Sequence, residues 1–499
     1  MITLGVVYDA VPSPWSFYGR ERELGAISAL LEAERFFFLR VTGRRRIGKT
    51  TLITEALRRS GRQRVAYVMV ADADPAGVVL GAREHLRRSG VEDTGFRDLF
   101  GLASTIGRLV RDGWVVVLDE YQAFARKPLY LFNSALQFEV DQLRAPGSAP
   151  TRGGLIVLGS IQAEMDALLA DRRAPLFGRA TAVLELDHLA PSVTAQILTT
   201  HAGRLDGRRW LTLWTILQGI PKYWRDAHEV DALGAEPEVA LTRLFFTGTA
   251  PLAADGTGWL LEELRGRYDP LLRYLAAHPN APRADIAAHI ADTAGHTSVQ
   301  VGAWLAALEQ RFGLIERTMP AFAEAPARSG RYRISDNFLL SWLGALATPV
   351  AFLGLRPMPE LVAEAADRLS TLEGFALERL AAGLLHERSR RGFGDLSVSE
   401  PIRGWWDRSG AEVDLVLVHE PDRRVVLGTC KRAPARLVRD LPRFDAHVAR
   451  LLATQPRLAG WRVEKIAIST RLDAEHRRAC TAAGYLPRDL HDLTDGLIS

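Results

Sequence analysis

Cysteine is almost absent: 499 residues carry two, Cys430 and Cys480, far apart. Two isolated thiols give neither a disulfide framework nor a zinc-ligand spacing, so stapled miniature folds and zinc ribbons are excluded. Such scarcity fits a reducing cytoplasm, the expected location. Long apolar runs are missing too. No stretch of about 18 apolar residues occurs, so no membrane helix and no membrane partner are expected. Met1 to Trp15 lacks a basic start, and Asp9 interrupts its short apolar run, so no signal peptide is expected. Nor is one sign of charge in surplus. A net charge of +4 means that nucleic-acid binding has to be argued region by region. What remains, 47% apolar and 24% charged, is globular, and the length implies about two to four domains.

What the chain does have is Gly43-Arg44-Arg45-Arg46-Ile47-Gly48-Lys49-Thr50, followed by Thr51. It fits G-x-x-x-x-G-K-[ST], the loop that wraps nucleotide phosphates. Its glycines let backbone N–H groups turn inward around the β-phosphate, and a helix starting near Lys49 points its positive end there. Lys49 would reach the β/γ-phosphates, and Thr50 would place its hydroxyl on Mg²⁺. ATP and Mg²⁺ are therefore the expected cofactors. Arg35 to Thr42 reads as a buried strand entering the loop, and Thr50 to Arg59 as an amphipathic helix leaving it. The three arginines inside the loop read as solvated tips. Upstream, Phe17 to Leu24 includes Tyr18, Gly19 and Arg20, which either clamp an adenine or open a capped helix.

Arg64 to Ala71 reads as a second strand, and Trp114 to Leu118 as a third that ends in Asp119-Glu120. In a parallel sheet, ligands collect at such strand ends. Asp119 would complete the Mg²⁺ shell and Glu120 would polarise the attacking water. Neighbours on a strand face opposite ways, so this division needs the chain to turn there. Pro146 to Pro150 closes a polar loop. Gly154 to Leu158 is a fourth strand ending at Gly159-Ser160, where Ser160 either senses the γ-phosphate or forms a simple turn. Pro175 to Arg179 leads into a fifth strand, Ala182 to Leu186. Arg179 is a candidate arginine finger, acting within one chain or across a self-association interface, with Arg172 and Arg173 competing. The fold expected is α/β: a five-stranded parallel P-loop sheet. Pro191 to Glu229 is helical in pattern, with Gly219-Ile220-Pro221 a rigid bend at the edge of a lid. This ATPase domain with its lid spans residues 15–248.

Thr247 to Gly258 looks like a linker. From Trp259, Ala284 to Asp292, a turn around Gly295 and Ser298 to Arg311 read as helix-turn-helix. Phe312 to Glu316 and Arg331 to Ile334 would be the strands of a wing, giving a winged helix over 249–350. Its second helix offers a single basic residue, Arg311, beside Glu309. Reading base edges takes several donors, so packing or relay is the expected role. After a Pro-containing link, Arg356 to Glu360, a third unit covers 355–499. Leu372 to Leu385 is an amphipathic helix with Glu373 and Glu378. Ala411 to Leu417 carries Glu412 and Asp414, and Arg424 to Lys431 returns. Helix acid, strand acid and a lysine outline a metal-dependent nuclease core. Lys431, Arg432, Arg436, Arg439, Arg443 and Arg450 suit a phosphate backbone or the solvated side of a helix.

The whole chain resembles the archaeal-type ATPase family, also found in bacteria: AAA+/STAND-like P-loop ATPases followed by a winged helix and a PD-(D/E)XK nuclease-like domain. The resemblance runs through FYGRERE, GRRRIGKT, VVVLDEYQ, GS, LFGR, GIPKYW and RYRISDNFLLSWL to EVDLVL and LGTCKR. It implies that Lys49, Thr50, Asp119, Glu120 and Ser160 keep their roles. The family pattern Gly-Glu-Cys-Lys appears here as Gly428-Thr429-Cys430-Lys431, so Thr429 replaces a metal-binding carboxylate. A neutral hydroxyl serves a hard dication poorly. Glu378, Asp414 and Lys431 would then be a degenerate nuclease site. The expected function is an ATP-hydrolysing switch relayed to a C-terminal domain whose candidate partner is DNA or RNA. The rivals are an active ATP-regulated nuclease and an ATP-binding scaffold without turnover. Self-association is left open.

Overall fold

Strand, helix and strand recur through residues 19–188, and a parallel sheet buries such apolar runs on both faces. The computed structural model of the protein describes residues 14–145, 151–256, 268–294, 297–323, 329–393 and 396–498. β1 (Phe37–Gly43), β2 (Val65–Met69), β3 (Val115–Asp119), β4 (Gly154–Gly159) and β5 (Ala182–Leu186) lie parallel in the order β2-β3-β4-β1-β5. This is the five-stranded α/β sheet that the sequence implies. α1 (Glu21–Glu32) precedes β1, and between the strands run α2 (Lys49–Ser60), α3 (Pro75–Arg88), α4 (Leu99–Arg111), α5 (Lys127–Arg144) and α6 (Gln162–Leu169). Asp74 and Asp98 start α3 and α4 by accepting the N–H groups of Gly77 and Gly101, each at 2.8 Å. Phe38, Val116, Leu118 and Val157 of the sheet meet Ile106 of α4 and Phe132 of α5 in the core. Because β4 lies between β1 and β3, the P-loop, Ser160 and Asp119-Glu120 emerge at one edge of the sheet. Residues 19–188 form one compact unit with 220–222.

The second unit takes in residues 14–18, 189–219 and 223 onward. It therefore includes α7 (Pro191–Ala202) and α8 (Gly207–Leu217), which the sequence reading groups with the ATPase domain as its lid. Both helices are tied to the long helix Met358–Arg390. Its buried Glu387 accepts from Ser192 N–H at 3.1 Å and from the Ser192 hydroxyl, and its buried Glu373 accepts from Thr212 Oγ1 at 2.5 Å. Helices Asp269–Ala277, Arg283–Ala294 and Ser298–Ala306 accompany an antiparallel sheet of β6 (Ala281–Pro282), β7 (Ile315–Thr318) and β8 (Arg331–Ile334), ordered β6-β8-β7. The sequence starts β7 at Phe312, but Gly313, at φ 61°, makes a left-handed turn there, and the strand begins beyond it. The link expected at Arg356 to Glu360 is instead the start of the helix Met358–Arg390. Proline in a first turn forfeits no hydrogen bond, so Pro359 fits there.

β9 (Arg403–Trp406), β10 (Glu412–His419), β11 (Arg424–Cys430), β12 (Arg462–Ser469) and β13 (Leu486–Asp489) form a mixed sheet. It is antiparallel from β9 to β11 and parallel from β11 to β13. Val413, Val425 and Leu427 pack on Leu437, Leu441 and Phe444 of the helix Pro434–Thr454. The turn at Gly295, the loop at 146–150 and the start of the helical region at Trp259 lie outside the described residues.

Candidate functional site

The P-loop is shaped by two glycines. Gly43 ends β1 at φ 148°, and a Cβ there would lie 2.6 Å from the carbonyl oxygen of Leu186. Gly48 takes φ 91° just before α2, a region that side chains disfavour. Arg46 between them is also left-handed, at φ 69°, and Ile47 is buried. Lys49 Nζ donates to Gly43 O at 2.8 Å and to Arg44 O at 3.0 Å, which closes the loop. Burial pushes the Lys49 ammonium down to about 8, and the nearby Glu120 and Asp119 charges oppose that fall. Arg45 and Thr51 are exposed, while Arg44 is half-buried.

Asp119, at 3% exposure, sits at the end of β3 and is surrounded by donors. Thr50 Oγ1 donates to its Oδ2 at 2.7 Å, and the Tyr67 hydroxyl of β2 donates to the same oxygen. The Glu120 N–H donates to Oδ1 at 2.8 Å. Burial, then the Asp119 charge, push the Tyr67 hydroxyl above its usual range. At Glu120 the chain turns left-handed, φ 56°. The turn that the two roles require is present. The Glu120 carboxylate meets Gln122 Nε2 and accepts from Ser160 Oγ at 3.1 Å. Sequence reasoning missed both Tyr67 and Gln122. Gln122 lies in the quoted VVVLDEYQ, but nothing in one sequence marks it. Tyr67 is brought in by the pairing of β2 with β3, which only the strand order reveals.

Arg20 braces the loop from outside. Its Nη2 donates to Ile47 O at 3.3 Å and to Asp187 O at 2.5 Å, and Nη1 donates to Glu23 at 3.3 Å. Burial pulls its pKa down, opposed by Glu23. The residue also precedes α1, so a helix does start in this entry segment. Tyr18 packs in the second unit, with its hydroxyl 2.7 Å from His201 Nε2 and its ring 5.2 Å from that of Trp15.

Arg179 needs a correction as a finger acting within one chain. It precedes β5, and Thr181 N–H bonds Phe38 O at the entry end of β1, whereas the P-loop leaves the other end. About five residues of strand, roughly 16 Å, separate the two edges. There Arg179 makes a bidentate pair with Asp141 of α5, at 2.7 and 2.8 Å.

In the second unit Asp414 Oδ2 accepts from Thr429 Oγ1 at 3.0 Å, Cys430 N–H at 2.8 Å and Lys431 Nζ at 3.0 Å. Burial, then the Asp414 charge, push Glu378 well above the usual carboxylate range. Burial alone would lower Lys431, but Asp414 and Glu378 more than reverse that and hold it above its ordinary value. Glu412 is paired with Arg331 at 2.8 Å. No group of three or more His, Cys, Asp or Glu side chains able to hold a metal occurs among the described residues. The basic run is largely engaged: Arg432 with Glu373 at 2.6 Å, Arg436 and Arg439 with Asp440, and Arg450 with Asp407 at 3.0 Å.

No protein-family model matches the chain. The chain is 22% identical to the uncharacterized protein MJECL04 of Methanocaldococcus jannaschii over 464 residues, 86% of this chain and 91% of that one. Among solved structures, the Walker-type ATPase PABY2304 of Pyrococcus abyssi is similar at TM-score 0.52 and 17% identity, over 66% of this chain and 96% of that one. The ORC2 protein of Aeropyrum pernix matches at TM-score 0.45 and 15% identity, over 73% and 97%. The Pyrococcus likeness shows the fold alone, and that fold is the P-loop ATPase fold. No helix among the described residues is long and apolar enough to cross a membrane.

Proposed function

We propose that the protein binds and hydrolyses ATP and acts as a molecular switch. The observation that carries this reading is the bond from Thr50 Oγ1 to Asp119 Oδ2, with Glu120 and Ser160 beside it. It joins the phosphate loop to an acid at the end of a non-adjacent strand of one sheet. A hydroxyl and a carboxylate at 2.7 Å are hard oxygen donors that suit Mg²⁺, and Thr50 and Asp119 would hold it. The ion would supply charge stabilisation to the phosphoryl group. Lys49 and the loop N–H groups would bind the β- and γ-phosphates, and Glu120 would orient the attacking water and take its proton. The half-buried position of Pro221, 3.7 Å from where a Gly48 Cβ would stand, gives the G-I-P segment a way to register what fills the loop.

Three helices with an antiparallel β6-β8-β7 sheet support a winged-helix reading. Helix acid, strand acid and lysine around a mixed sheet support a nuclease-like C-terminal domain over 355–499. The internal pairing of Asp414 with Lys431 favours lost metal chemistry there, leaving DNA or RNA as a partner to be bound rather than cut. ATP turnover by wild type and by Lys49→Ala, each with and without DNA or RNA, tests the proposal. Wild type should turn over and the variant should lose turnover and bind nucleotide more weakly. Equal turnover would sink the ATPase reading, and bound ATP without hydrolysis would favour a scaffold. DNA cleavage with Mg²⁺ or Mn²⁺ that disappears in Lys431→Ala would favour the active nuclease.

A further inference from the structure

Beyond β3, the chain makes a short turn at Tyr121–Ala125. Tyr121 anchors it: the ring is fully buried, and the hydroxyl donates to Asn133 Oδ1 at 2.8 Å. This fixes the backbone of the next residue, Gln122, which is only 8% exposed. Its amide is used at both ends. Nε2 donates to Glu120 Oε2 and, at 3.2 Å, to Ser160 Oγ, while Oε1 accepts the Ser160 N–H at 3.2 Å. Ser160 Oγ closes the triangle by donating to the same Glu120 oxygen at 3.1 Å. Between β3 and β4 the ladder registers Leu118 with Val157, and past it Gln122 continues the cross-link through its side chain.

We propose that Gln122 is the positioning residue of this site: it holds Glu120 by one carboxylate oxygen against Ser160 and so aims the other at the attacking water. The proposal rests on the ATPase reading above and names a part of it that the P-loop motif does not contain. Glu120 Oε2 takes both bonds, and Oε1 takes none among the described residues. An amide suits this post because its two ends are opposite in kind. With Oε1 committed to the Ser160 N–H, the NH₂ group has to face the acid. A carboxylate at position 122 would meet Glu120 with like charge, and an alkyl group would leave Glu120 held by the Ser160 hydroxyl alone. Gln122 also binds both the acid and Ser160, so any shift of Ser160 moves the acid.

The test is steady-state ATP turnover, with nucleotide affinity measured separately, for wild type, Gln122→Ala, Ser160→Ala and the double variant. Gln122→Ala should lower kcat about 10- to 100-fold, the scale on which misplaced catalytic groups act, while KM and nucleotide affinity stay within about twofold. Because the residues act through one network, the double variant should fall little below the worse single variant. A kcat unchanged in Gln122→Ala, or effects of Gln122→Ala and Ser160→Ala that simply multiply, would overturn the positioning role while leaving the ATPase reading intact. A loss confined to thermal stability would overturn it as well. Wild type without turnover would overturn the ATPase reading and the positioning role with it.

Discussion

Two aspartates near strand ends in this chain each accept a threonine hydroxyl, Asp119 from Thr50 at 2.7 Å and Asp414 from Thr429 at 3.0 Å. Their surroundings then diverge. Around Asp119 the donors are neutral: two hydroxyls and one peptide N–H. The Lys49 ammonium feels the Asp119 charge but gives its hydrogen bonds to backbone carbonyls instead of to the carboxylate. Around Asp414 the third donor is the Lys431 ammonium itself, and the neighbouring acid Glu378 is driven toward its neutral form. That site has balanced its charge internally. The same short motif, an acid at a strand with a threonine beside it, thus meets only neutral donors in one region and a lysine ammonium in the other. What decides is where the lysine points.

The sharpest way to break this contrast is at the acid assigned to water. Glu120→Gln keeps the shape and the bonds to Ser160 but removes the base, so turnover should drop by about 100-fold or more, while ATP binding persists. Retention of turnover would mean that the charge at the P-loop edge is not used for chemistry. The second test attacks the other site. Thr429→Glu places a second carboxylate beside Asp414, at a position only 4% exposed. Without metal it should lower stability by about 1–3 kcal/mol. Millimolar Mn²⁺ should recover much of the loss in the variant and little in wild type, read as Tm with and without the ion. A variant indifferent to Mn²⁺ would show that an acid at position 429 is not what separates the two sites.

Much of the first site was legible in the sequence because its parts are local. Gly43 to Thr50 is a loop whose spacing is its geometry, and Asp119-Glu120 ends an apolar run. Ser160 could be guessed as the end of a neighbouring strand. Tyr67 and Gln122 could not, because their roles arise from pairing of β2 with β3 and of β3 with β4, distant in sequence. Arg179, as a finger acting within one chain, illustrates the opposite case. As a residue it suits a finger, but in a parallel sheet the segment that enters a strand lies at the edge away from the loop. In the C-terminal region, Thr429 in place of an acid was visible. The outcome was not: Lys431 folding onto Asp414 and Arg432 onto Glu373 depend on a helix and two strands meeting.

The smallest expected effect tests whether Glu378 really is held neutral. Its ordinary value is 4.5, and in the folded chain it lies well above that, through burial first and the Asp414 charge second, with Lys431 opposing. The folded state therefore retains a proton that the unfolded chain releases as pH rises past about 4.5. Wherever the native state binds more protons than the unfolded one, stability falls with rising pH. Wild type should lose stability from Glu378 across the window above 4.5, up to the folded value. Glu378→Gln replaces a neutral acid by a neutral amide of similar shape, so at pH 4.5 the two proteins should agree within about 0.5 kcal/mol. By pH 8 the variant should have gained on wild type, seen as a higher relative Tm. A gain in the other direction, with the variant falling behind as pH rises, would mean that Glu378 is ionised beside Lys431 and that a second charge is still present at this site.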